Sequence, residues 1–162
     1  MPLHLHVIPL AGFTGLMLIA AVEDLRRLVI PNPVVLGLCV LWPLQLASAP
    51  VVSLTDAAIA ALCAAAVFAG GALLFWRGLM GGGDVKLMTA ATLWAGPAST
   101  PTLLIATAVL GGLLTLALLS PLALRAVFAP ASAAAAAKQV PVPYGVAIAG
   151  AALIVTIPPN IS

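Results

Sequence analysis

Residues 56–97 read DAAIAALCAAAVFAGGALLFWRGLMGGGDVKLMTAATLWAGP. After Asp56 the stretch runs uncharged to Trp76, turns through Arg77 and the glycines at 81–83, meets Asp84, and is apolar again up to Gly96-Pro97, with Lys86 its one further charge. A helix needs about 20 apolar residues, range roughly 17–25, to cross a bilayer. The first run has that length, and the Asp56 side chain is suited to capping its N-terminus. The chain then turns at a short glycine-rich point and heads back. Two helices crossing a membrane in opposite directions are the simplest reading, and the rest of the sequence repeats the pattern.

Of the 162 residues, 64% are hydrophobic and only 6% are charged, six Lys+Arg and four Asp+Glu; a soluble domain carries about 25%. Mean hydropathy is +1.26. Such a chain cannot cover a water-facing surface, which excludes a soluble globular domain, a disordered tail and a nucleic-acid binder. The net charge of +2 implies no polyanionic partner. Breakers and charges divide the chain into six apolar segments, at residues 3–22, 34–46, 56–76, 85–95, 102–119 and 144–157. Six spans use about 120 residues and leave about 40 for connections. The expected fold is therefore all-α: a polytopic membrane protein of six transmembrane helices forming a single domain over residues 1–162, embedded in the lipid bilayer, with no room for a separate soluble domain.

Basic residues mark the cytoplasmic side of short loops. Arg26 and Arg27 lie between segments one and two, Arg77 and Lys86 around the turn between three and four, and Arg125 and Lys138 between five and six. All six fall on one side of a six-span arrangement, with both termini on the extracytoplasmic side; five or seven spans would lose this agreement. The N-terminal MPLHLHVIPL has no Lys or Arg, unlike the positive start of a removable signal peptide, so the first span is expected to be retained. The connection at 120–143 is the longest, and its alanine run favours helix; the sequence admits either a surface helix or a flap over the inner face. Cys39 and Cys63 lie in apolar runs without the paired spacing of a zinc site and are expected to be small core residues. No metal site or cofactor is expected.

Acidic residues in apolar segments are expensive and default to a functional reading. Segment one travels inward and delivers Asp24 to the inner face, and segment four starts from that face with Asp84. Topology alone thus brings together residues 60 apart in sequence, while Asp56 is left on the opposite face. From Asp84 to Pro97 is about 20 Å of helix at 1.5 Å per residue, less than the roughly 30 Å hydrocarbon core. Asp84 is therefore expected below the inner surface. Non-helical backbone at that depth needs protein or a water-filled cavity around it, so the expectation is a wet notch with Asp84 in its wall. Two close carboxylates do not both ionise easily and tend to hold one proton between them. The ionised member can activate water while the protonated one polarises a peptide carbonyl.

Plainer readings stand beside this one. Asp84 after glycines is a common helix start and is suited to capping, which does not exclude chemistry. Asp24 with Arg27 has the spacing of an interfacial i,i+3 pair. Glu23 points about 100° away from Asp24 on a helix and is left out of the dyad. No His or third Asp converges to hold a divalent metal; His4 and His6 sit at the outer end. The glycine run lacks the Gly-Lys-[Ser/Thr] of a phosphate loop. Lys86 either snorkels to the interface or sits beside Asp84 to favour its ionised form or hold substrate. Tyr144 is an interfacial aromatic that also enters segment six from the inner side. Trp42, Trp76 and Trp94 suit membrane anchoring and packing.

Three motifs carry a resemblance to a known family. GGGDVKLM at 81–88 resembles the GxGD signature of membrane aspartyl proteases in the G-x-G-D-x-K-L form of type IV prepilin peptidases, with Gly81, Gly83 and Lys86 at its fixed positions. DLRRLVIPN at 24–32 resembles that family's first aspartate motif, with Pro31 and Asn32 at its end. VPYGVAIAG at 142–150 resembles its motif near the last span, with Pro143, Tyr144 and Gly145. The resemblance implies that Asp24 and Asp84 are a catalytic pair that cuts the leader from prepilins at the cytoplasmic face of the bacterial inner membrane. The substrate it implies has a basic leader, a Gly at the cut and a hydrophobic helix after it. Longer family members add a cysteine-rich methylating domain; this chain has no such cysteine pairs and resembles the short, peptidase-only kind associated with Flp-type (tight-adherence) pili. The rival from another class is an ion- or proton-coupled transporter, which would place carboxylates near mid-membrane in two related halves. A non-enzymatic assembly subunit, in which Asp84 is replaceable, is the third reading.

Overall fold

The computed structural model describes residues 4–48, 53–128 and 142–161. They form an all-helical bundle of α1 (His4–Arg27), α2 (Asn32–Ser48), α3 (Leu54–Trp76), α4 (Gly82–Phe128) and α5 (Tyr144–Ile161). Three stretches, Val7–Arg27, Leu54–Trp76 and Gly82–Leu118, are long and apolar enough to cross a membrane, and Asn32–Ser48 and Tyr144–Ile157 are shorter apolar helices. Of the connection at 120–143, α4 takes the first part by continuing to Phe128; positions 129–141, with Lys138, lie outside the described residues.

α4 is two rods rather than one. Gly96 interrupts it at φ 71°, ψ 174°, a left-handed value that glycine adopts without steric cost, and Pro97 follows. A straight helix would separate Asp84 from Thr107 by about 35 Å, at 1.5 Å per residue. Both line the same cavity, so the chain folds back at Gly96 and its two arms lie side by side. The Gly-Pro stop expected after segment four is this hairpin.

Helix ends differ from the sequence reading where charges were taken as breakers. α1 does not stop at residue 22 but carries Glu23 to Arg27 as helix. Arg27 Nε pairs with Glu23 Oε2 at 3.4 Å, an i,i+4 pair, in place of the i,i+3 pairing with Asp24 that the spacing also admits. Arg26 and Arg27 also sit in the last turn, where cations complement the helix dipole. The helix closes through Leu28, at φ 54°, whose N–H donates to the Asp24 carbonyl. α3 starts two residues before Asp56. Ser53 is its N-cap, and Ser53 and Asp56 form a reciprocal capping box, so Asp56 is the box's second member rather than the cap itself.

The core is where α1, α2, α4 and α5 meet. Phe13, Met17, Leu38, Leu87, Leu103 and Ile148 are fully buried. The Phe13 ring stacks on Trp94 with centroids 4.6 Å apart, and the Trp94 indole N–H donates to the Leu38 carbonyl at 3.0 Å. Of the two roles that the sequence leaves to Trp94, packing is the one seen, since it ties three helices together; Trp76 is exposed. Small residues admit close approach, as helix packing in lipid requires: a Cβ on Gly71 would lie 2.8 Å from Val85, and one on Gly12 2.7 Å from Leu41. Cys39, expected in the core, faces outward beside exposed Leu36 and Val40, and Cys63 is half-buried. In a bundle apolar on both sides, apolarity does not say which way a residue points.

Candidate active site

A cavity of 1010 Å³ opens where the end of α1, the start of α2, the 78–84 turn and the first turn of α5 converge. Asp24 and Asp84 both line it, with Asn32, Lys86, Tyr144 and Thr107.

Asp24 sits in the last turn of α1 and is only 5% exposed. Its neighbour is the N-terminus of α5, whose first N–H groups have no partner within their own helix. The Val146 N–H is shared between Asp24 Oδ2, at 3.3 Å, and the Pro143 carbonyl, at 3.2 Å, and Gly145 packs against the same carboxylate. One helix thus supplies the anionic cap for another, 122 residues away in sequence, and the α5 dipole favours negative charge there. The contact leaves no room for a side chain: a Cβ at position 145 would lie 2.7 Å from Asp24 Oδ2. That is the physical content of the Pro143-Tyr144-Gly145 motif. Pro143, buried, starts the helix; Gly145 lets the carboxylate in.

Asp84 is half-buried in the first turn of α4. Its carboxylate accepts from the Gly81 N–H, while the Gly81 carbonyl accepts from the Val85 N–H at 3.1 Å. The capping role read from the sequence is present. It holds the carboxylate over its own helix start while leaving it on the cavity wall, so capping and availability for chemistry coexist. Here too a glycine clears the space, since a Cβ on Gly81 would lie 2.8 Å from Asp84 Oδ2.

Ile30, which the sequence reading passed over, is the wedge between the motifs. It is 7% exposed in the core cluster. A Cβ on Gly83 would lie 3.2 Å from Ile30 Cβ, and one on Gly145 3.0 Å from Ile30 Cδ1. Pro31 holds Ile30 out of helix, since the residue before a proline disfavours the α region. On the rim, Lys86 Nζ donates to Asn32 Oδ1 at 3.1 Å, so the lysine of one motif is spent on the asparagine of another. Tyr144 lines the cavity, is 44% exposed, and its hydroxyl lies 3.2 Å from Thr115 Oγ1. Thr107 also escaped notice, because its segment carries no charge and no motif.

The site therefore offers two acidic side chains on one wall, each at a helix N-terminus and each facing a glycine, beside a cationic rim. Two such carboxylates can divide a water activation and a carbonyl protonation between them.

No curated protein and no solved structure matches the chain. The type IV leader peptidase family matches residues 11–116. That span holds both aspartates and both motifs around them, and stops short of Tyr144. With most of its length matched, and with the aspartates of both matched motifs on one cavity wall, this chain belongs to the type IV leader peptidase family.

Proposed function

We propose that this leader peptidase is an aspartyl endopeptidase of the bacterial inner membrane, crossing it six times, which removes the leader from Flp-type prepilins at the cytoplasmic face. Asp24 and Asp84 are its catalytic pair. The observation that carries the reading is that two carboxylates, far apart in the chain, line one cavity while helix N-termini and glycines hold each in a fixed place.

The reaction needs one ionised and one protonated carboxyl group. The ionised one takes a proton from water as its oxygen attacks the scissile carbonyl carbon. The protonated one gives its proton to the carbonyl oxygen. In the collapse of the tetrahedral intermediate the C–N bond breaks as the nitrogen takes the proton that the first carboxyl took from water, while one hydroxyl of the intermediate returns its proton to the second, so that the pair again holds one proton. The substrate segment must be extended at the cut, since a helix keeps its carbonyls in hydrogen bonds. Lys86, held by Asn32, has its charge on the rim rather than over the pair and acts as a structural tie between motifs.

The test is co-expression with a Flp-type prepilin. Wild type shortens the prepilin; Asp24→Asn and Asp84→Asn insert into the membrane in normal amount and leave it at full length. Processing retained by either variant removes that residue from the mechanism.

A further inference from the structure

We propose that Thr107 binds the main chain of the substrate's extended segment through its hydroxyl, an inference that rests on the peptidase reading above. Thr107 lies on the second arm of α4 and is the one residue that this arm contributes to the cavity wall among the described residues. It is 8% exposed, and its Oγ1 is buried without a hydrogen-bond partner.

That state is not the habit of threonines in this bundle. A helix threonine ordinarily returns its hydroxyl to the carbonyl four residues back. Thr14, Thr89, Thr92, Thr100 and Thr115 all do so, at 2.7 to 2.9 Å. Thr107 leaves the Leu103 carbonyl alone. A buried polar group left unmade is costly, so a chain that needed only packing here would gain from valine, which has the same shape. The neighbours fix which way the residue faces. Leu103 is fully buried one turn before it. One turn after it, Gly111 lies against Tyr144, where a Cβ would be 3.0 Å from the ring. Thr107 therefore faces α5, whose Tyr144 and Ile148 line the same cavity.

The ligand chemistry follows from the reaction. A peptide pulled out of helix exposes carbonyl and N–H groups in pairs, and a hydroxyl satisfies either by donating or accepting. Thr107 lines the wall with Ile148 and the glycine turn, and its hydroxyl, covered in this conformation, has no partner to give up when a peptide takes its place beside it. The carboxylates are reserved for the chemistry, and Lys86 and Tyr144 are bonded to Asn32 and Thr115.

The experiment uses the full-length purified enzyme and a synthetic Flp-type prepilin peptide spanning leader, cut site and following helix. Thr107→Val is expected to raise KM about tenfold, the loss of one well-made hydrogen bond, with kcat within about twofold. Thr107→Ser restores KM, and the melting temperature of Thr107→Val is equal to or above that of wild type. Affinity for the uncut peptide is measured in parallel on the inactive Asp84→Asn background, where adding Thr107→Val weakens binding by the same factor. An unchanged KM, a fall in kcat alone, or a lowered melting temperature overturns the proposal. Should wild type leave the peptide uncut, the peptidase reading fails by itself, and the binding comparison still decides whether Thr107 contacts the chain.

Discussion

At the scale of single residues, the site depends on atoms that are missing. Gly145 and Gly81 each leave the space that an aspartate oxygen occupies, so adding one methyl group at either position displaces a carboxylate without deleting it. Gly145→Ala and Gly81→Ala are each expected to slow prepilin cleavage by about 10²-fold, the cost of misplacing a reacting group by about 1 Å. Gly112→Ala, where nothing lies within 4 Å of the new atom, leaves the rate unchanged and adds about 0.5–1 kcal/mol of stability through helix propensity. Cleavage at the wild-type rate by Gly145→Ala would show that the Asp24 position is not demanding. The two aspartates were legible in the sequence because a charge in an apolar segment has few bland explanations. Ile30 and Thr107 were not, because an isoleucine beside a proline and a threonine in an apolar helix look the same whether they face lipid or a cavity.

At the scale of elements, the hairpin at Gly96 adds the returning arm of α4 to the cavity wall, because it brings Thr107 back to the level of Asp84. Its φ of 71° with ψ of 174° lies in a region essentially reserved for glycine, where a side chain costs about 1–3 kcal/mol, although nothing lies within 4 Å of an added Cβ. Gly96→Ala is accordingly expected to lower stability by about that amount through backbone conformation alone, measured by denaturant titration in detergent. A change near zero would mean that the bend tolerates an ordinary residue. The Gly-Pro pair made this turn readable in advance. The ends of α1 and α3 were misread for a common reason. Charged residues were taken as boundaries, Glu23 as the end of one helix and Asp56 as the cap of another, whereas the Glu23–Arg27 pair and the Ser53–Asp56 box place them inside the helix.

At the scale of the whole molecule, α3 gives the simplest check on how the bundle sits in its membrane. Its 23 residues span about 35 Å at 1.5 Å per residue, enough for a hydrocarbon core of about 30 Å. In a background lacking Cys39 and Cys63, a membrane-impermeant thiol reagent is expected to reach Leu54→Cys only from outside the cell. It should reach Arg77→Cys only after the cytoplasmic side is opened. Labelling of both from one side would contradict the proposed topology. The all-helical architecture and its turns were legible because breakers and charges interrupt the apolar runs so regularly; which face of each helix turns inward was not, since lipid and protein interior make the same demands on a side chain. One contact binds this scale to the smallest. Asp24 clasps the beginning of α5 with the very oxygens that chemistry would employ. On the proposed mechanism, architecture and reactivity are vested in a single group, so a variant selected for a tighter clasp would immobilise one of its own reacting carboxyls, and sturdiness at this corner would come at the expense of turnover.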